Sequence, residues 1–152
     1  MLLIGSPMCR AFSVLSRLNR KRMGEEKWAQ MMEHGVRHLR FCCELCQMQT
    51  DANRYDLHEH PAYASSWQDP EVDAILSNPT CNLVTAHMCH FGMKSSDEFG
   101  EGHVLKPTKF MTNSKCIAAR LSRTCDYSHR HIPLWGKRAN MAEIYPKELC
   151  VA

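Results

Sequence analysis

Met1-Leu2-Leu3-Ile4-Gly5-Ser6-Pro7-Met8-Cys9-Arg10-Ala11-Phe12-Ser13 opens the chain, and its reading decides the fold. Four apolar residues in succession predict a short buried strand. Gly5, Ser6 and Pro7 stop it. Cys9 then falls on the loop beyond the strand. Open α/β sheets hold their reactive groups there, outside the carboxyl ends of the strands, so its thiol is a candidate nucleophile.

Outward from this stretch, Gly24 to about Gln49 predicts a helix. Trp28, Met31, Met32, Gly35, Leu39, Cys42, Cys43 and Cys46 recur at three- and four-residue spacing. Glu25 and Glu26 suit its N-terminus. Tyr55 to His58 reads as a strand with Glu59-His60-Pro61 as its exit. Asp69 to Ser77 is a short helix with Asp69 as cap and Pro70 at its first position. Cys81–Ala86 and Thr108–Thr112 read as strands, with a polar loop over Phe91–Val104 between them. Ser114–Arg123 reads as a helix, Thr124–Gly136 as irregular, and Arg138–Leu149 as a short helix interrupted at Pro146. This order predicts an α/β fold with a largely parallel sheet and flanking helices. No repeat or linker divides the chain, so residues 1–152 form one domain. Residues 1–123 carry the motifs, and 124–152 form an irregular tail with a short helix.

The chain's 152 residues suffice for one hydrophobic core, and its 44% hydrophobic content argues against a disordered chain. Nineteen Lys and Arg against 16 Asp and Glu give a net charge of +3, which permits a nucleic-acid partner without demanding one. Arg10, Arg17, Arg20, Lys21 and Arg22 cluster after Cys9 and are expected to favour its thiolate. The nine cysteines are odd in number, and the opening apolar run is short and lacks a basic flank. Reduced thiols in a nuclear or cytoplasmic compartment are therefore expected rather than a secreted disulfide framework. No apolar stretch approaches a membrane span.

Two neighbouring strand ends carry reactive groups, Cys9 and Glu59, and a parallel sheet would set them on one cleft. A thiol beside a carboxyl group suits attack on an electron-poor ring. The thiolate adds, and the acid protonates or hydrogen-bonds the ring nitrogen as negative charge develops.

The segment Gly5-Ser6-Pro7-Met8-Cys9-Arg10-Ala11-Phe12-Ser13 resembles the catalytic motif of DNA cytosine-5 methyltransferases, Gly-Ser-Pro-Pro-Cys-Gln-x-Phe-Ser. His58-Glu59-His60-Pro61 resembles their second catalytic motif, Glu-Asn-Val or Glu-Asn-Pro. Cys89-His90-Phe91-Gly92, followed by Lys106-Pro107-Thr108-Lys109-Phe110-Met111-Thr112-Asn113, resembles a third, as seen in viral and phage-like branches. The chain is also similar to methyltransferase-like segments of retrotransposon polyproteins from some protists. The resemblance spans about residues 2 to 115. It implies a partial Rossmann-like methyltransferase sheet, DNA as partner and S-adenosylmethionine as cofactor. Cys9 would attack carbon 6 of a flipped cytosine and Glu59 would hold ring nitrogen 3. Arg10, Ser13, Lys106 and Lys109 would contact DNA. Arg10 stands where the family has Gln, His60 where it has Asn, and Leu105 where an arginine precedes the lysine. The family's cofactor-binding strand and glycine-rich loop would precede residue 1, and no Gly-x-Gly follows a strand here. The chain thus corresponds to the second half of such a domain. The expectation is that alone it is inactive or impaired, with an exposed sheet edge.

Cys43 and Cys46 have the spacing of half a zinc site but continue an apolar helix stripe, so they read as core. His87, Cys89 and His90 overlap a strand exit and are read as packing. Cys125, His129 and His131 lie in an irregular segment, where Cys116 or Cys150 would complete a tetrahedral set. That spacing matches no standard signature, and no metal is assigned. The competing functional reading is a non-catalytic nucleic-acid-binding segment of a mobile-element polyprotein. A zinc-stabilised interaction domain comes third.

Overall fold

The computed structural model describes residues 1–152. Strand β1 (Leu2–Gly5) leads through a 3-10 turn (Cys9–Phe12) and two short helices, α1 (Val14–Leu18) and α2 (Arg20–Met23), into the long helix α3 (Glu25–Asp51). Then come β2 (Tyr55–Pro61), a 3-10 turn (Ser65–Gln68), α4 (Pro70–Leu76) and β3 (Asn82–His87). A third 3-10 turn (Met88–Phe91) precedes β4 (Lys94–Asp97) and β5 (Gly100–His103). The chain closes with β6 (Pro107–Thr112), α5 (Lys115–Leu121), α6 (Lys137–Met141) and α7 (Lys147–Cys150).

The main sheet has the order β1-β2-β6-β3 and is mixed. β1 pairs with β2 in parallel, whereas β6 runs antiparallel to both β2 and β3. This corrects the largely parallel sheet expected from the sequence. β1, β2 and β3 do share one direction, but β6 is inserted between the last two in the opposite sense. The α/β class itself stands. Two further expectations change. β2 runs on through Glu59, His60 and Pro61, which pair with Phe110, Lys109 and Thr108 inside the sheet rather than forming a loop. The polar stretch after Phe91 contains a second two-stranded sheet, β4-β5. An exposed Lys94–Glu101 ion pair and a bond from Arg130 to Asp97 tie that hairpin.

Helix α3 folds as its pattern dictates, with Gly35, Leu39, Cys42, Cys43, Cys46 and Gln49 forming one buried stripe. It lies on one face of the sheet with α4, where Ala11, Phe12, Leu39, Cys43, Ala64, Val72 and Met111 make a core. Each fully buried large side chain among them contributes about 1.5–3 kcal/mol. Cys43 and Cys46 belong to this packing, and burial pushes both thiols up to about 12. Asp69 caps α4 by accepting from the Glu71 amide at 3.0 Å, with Pro70 beside it. The opposite face carries a second core of Ala86, Met88, Phe91, Met93, Val104, Phe110, Leu121, Ile132 and Ala142, against which Tyr145 and Leu149 pack. The sheet is thus covered on both faces. No helix is long and apolar enough to cross a membrane.

Candidate functional site

The strand directions gather the candidate residues at one end of the sheet. β1, β2 and β3 finish there and antiparallel β6 starts there, with Gly5 opposite His58 and Pro107 opposite His87. Ser6, one residue past β1, therefore reaches Glu59 and donates its hydroxyl to Oε2 at 2.7 Å. Tyr145 donates its hydroxyl to the other oxygen, Oε1, from the segment between α6 and α7. Glu59 is only 7% exposed, so these two donors replace the water it has lost. One lone pair on each oxygen stays free for a ligand.

Cys9 sits half-buried on its 3-10 turn, within electrostatic reach of Glu59, Lys106 and Glu143. Burial pushes its thiol up, and the charge of Glu59 adds to that; the Lys106 ammonium acts in the opposite sense. This corrects the expectation that the basic residues after Cys9 activate it. Arg17, Arg20, Lys21 and Arg22 lie exposed on and beside α1 and α2, Arg20 is paired with Glu25, and the one cation acting on the thiol is Lys106. The Lys106 ammonium donates to the Ala142 carbonyl at 2.6 Å and lies 3.9 Å from the centre of the Tyr145 ring. Burial lowers its pKa, while Glu59 and Cys9 hold it charged. Its backbone φ is +29°, a left-handed value unusual for a residue with a side chain.

Glu59 and its histidine neighbours alternate across β2. His58 and His60 point to the α3 face, where each ring meets Trp67 edge-on. His60 Nε2–H donates to the Pro7 carbonyl at 3.0 Å, and because that oxygen can only accept, Nδ1 is left to accept from the Ser66 hydroxyl. His60 thereby pins the loop that carries Cys9. His58 has no partner on either ring nitrogen.

The remaining predicted residues are not all brought together. Lys109 lies on the His60 face, its ammonium 5.8 Å from the centre of the Trp67 ring, on the side of the sheet away from Glu59. Arg10 is exposed on the Cys9 turn. Ser13 caps α1, accepting from the Ser16 amide at 3.1 Å. Sequence reasoning missed Tyr145, whose tail segment has no motif, and Ser6, a motif residue whose bond to Glu59 only the register of β1 on β2 reveals.

A second cluster lies beyond the end of β3. Cys89, Cys125, His129 and His131 bring one ligand atom each to within 4.8 Å of all the others. Cys116 and Cys150, the partners considered from sequence, are exposed and outside it. Two surface depressions, of about 670 and 450 Å³, lie along α3 and between α3 and α4, lined by neither Cys9 nor Glu59. Compared with family models, curated proteins and solved structures, the chain matches none.

Proposed function

We propose that this chain is the nucleophile-bearing half of a DNA cytosine-5 methyltransferase-like domain, a partial Rossmann-like sheet of mobile-element lineage. One observation carries the reading. The two residues picked out by separate motifs, Cys9 and Glu59, lie within electrostatic reach of each other at the carboxyl ends of adjacent parallel strands, and Lys106 from the third motif acts on both. Cys9 gives its proton to water and adds as the thiolate to carbon 6 of an extruded cytosine. Glu59, oriented by Ser6 and Tyr145 and acting as the carboxylic acid, donates its proton to ring nitrogen 3 as negative charge develops there. Lys106 steadies the thiolate. The adduct takes a proton from water at carbon 5. Elimination then passes a proton from carbon 5 to water and the ring-nitrogen proton back to Glu59 as the carbon 6–sulfur bond breaks and the thiolate leaves.

The residues present do not fit S-adenosylmethionine. No glycine-rich turn follows a strand, so the chain offers no backbone cradle of the kind that holds such a cofactor. No methyl-transfer step is assigned to these residues. β1 is an edge strand with Ile4 64% exposed, so additional strands could extend the sheet on that side to supply cofactor binding.

The test follows the addition step alone. DNA tritiated at carbon 5 of cytosine should release tritium to water with the wild-type chain. Cys9→Ser should abolish release, and Glu59→Gln should reduce it by about 10²–10⁴-fold. Equal release by wild type and Cys9→Ser would sink the proposal. The exposed cations of α1 and α2 favour a second reading, a non-catalytic DNA-binding segment. Binding that falls steeply with salt, without tritium release, would select it.

A further inference from the structure

We propose that Cys89, Cys125, His129 and His131 form a structural zinc site. Cys125 Sγ lies 3.6 Å from His129 Nε2 and 3.5 Å from His131 Nε2. A tetrahedral zinc ion with Zn–S of about 2.3 Å and Zn–N of about 2.0–2.1 Å sets sulfur and nitrogen ligands about 3.5 Å apart. Those two edges already match such a tetrahedron, and all four ligand atoms lie within 4.8 Å of one another. Two thiols and two imidazoles, with no carboxylate among them, select zinc over calcium or magnesium. Four ligands from the chain leave no open position, which makes the site structural rather than catalytic.

The surrounding backbone is arranged for the same purpose. The Tyr127 amide donates to Cys125 Sγ at 3.2 Å, and Tyr127 takes a positive φ of 61° to do so. The Cys125 amide donates to His87 Nδ1 at 2.9 Å, anchoring the ligand to the end of β3. The Ile132 amide donates to the His103 carbonyl at 2.7 Å, fixing the chain beside His131, while the His103 ring packs against His129 with centroids 4.3 Å apart. These contacts orient the ligands from behind. Ser122 to Trp135 contains no helix or strand, yet it places Ile132, 2% exposed, in the core. Irregular segments of this length inside a compact fold need a specific reason, and a metal clamp supplies one. The clamp joins the turn after β3, which holds Cys89, to the segment that leads to Tyr145. The proposal does not depend on the activity of Cys9.

The experiment uses the full chain, refolded under reducing conditions with zinc or cobalt(II). About one zinc per chain should remain after gel filtration. The cobalt form should show visible d–d bands and thiolate-to-cobalt charge transfer, both lost on adding zinc. Zinc should protect two of the nine cysteines from a thiol reagent. At free zinc about a thousandfold above Kd, the thermal midpoint should exceed that in chelator by about 8–16 °C. Cys125→Ser and His131→Asn should lose stoichiometric zinc, whereas Cys116→Ser and Cys150→Ser should keep it. A wild-type chain without stoichiometric metal, and with the same midpoint in zinc and in chelator, would overturn the proposal even if no variant folds. A wild type that takes iron(II) in preference to zinc under competition would overturn the choice of zinc.

Discussion

Cys9, the nucleophile of the proposed reaction, is held in check by its own neighbours. Burial first, and then the carboxylate of Glu59, keep its thiol protonated, and Lys106 alone among nearby cations opposes them. The pH dependence of Cys9 alkylation should therefore move in opposite directions in two variants. Glu59→Gln removes a negative charge and should shift the profile to lower pH. Lys106→Met removes the positive charge and should shift it to higher pH. Mass-resolved alkylation at Cys9 reads both, and a shared direction would contradict the placement of these charges. Across the strand, His58 is fully buried with both ring nitrogens unpartnered. A polar atom left unpaired in the interior costs about 1–3 kcal/mol. His58→Leu, similar in volume, should raise the urea midpoint without touching the Glu59 face. A lower midpoint would mean that the ring has a partner that this geometry does not provide.

Helix α3 carries a glycine where helix propensity alone disfavours one by about 1 kcal/mol. Gly35 is there because a Cβ would sit 2.4 Å from the Cβ of Ala11, in the turn that carries Cys9. Neither atom is the end of a flexible side chain, so helix or turn must move, at a cost of typically 1–3 kcal/mol. Gly35→Ala should thus lower the thermal midpoint by several degrees and change the alkylation rate of Cys9. Stabilisation, the result propensity predicts, would show that the turn does not pack on α3. Elements such as α3 and α4 were legible in the sequence because their signals are local, an apolar stripe in one and Asp69-Pro70 in the other. β6 was legible as a strand but not in direction, since nothing within Pro107–Thr112 encodes whether its neighbours run with it or against it. The β4-β5 hairpin escaped because its residues are polar and show no apolar alternation, and one of its ties, Arg130 to Asp97, comes from far along the chain. Cys9 and Glu59 could be read from local motifs, whereas Tyr145 and Cys89 join their clusters through tertiary contacts that no short pattern announces.

At the scale of the whole molecule, buried titratable groups on the α3 side of the sheet set a pH window for stability. Burial, with His60 nearby, lowers the pKa of His58 to about 3, and burial lowers that of His60 as well. In the unfolded chain each titrates near about 6.5. Below that pH the unfolded chain binds protons that the folded chain refuses. Stability should therefore fall as pH drops, by about 1.4 kcal/mol per pH unit for each fully neutral histidine. Asp56, whose pKa burial raises, acts in the opposite sense, but only above the ordinary carboxyl range of about 3.9. On the alkaline side, Cys43 and Cys46 stay protonated to about 12, whereas unfolded thiols ionise near about 8.5, so stability should fall again above that pH. Urea midpoints should be highest between about pH 6.5 and 8.5 and lower at both pH 5 and pH 10. His58→Leu should make the acid limb shallower, because one of its two histidines is gone, and leave the alkaline limb unchanged. A wild-type midpoint flat from pH 7 to 5 would mean that His58 and His60 accept protons in the folded chain. A pair of charged imidazoles could not occupy that interior beside Trp67 and Phe12, so the packing of β2 against the Cys9 turn would have to be different.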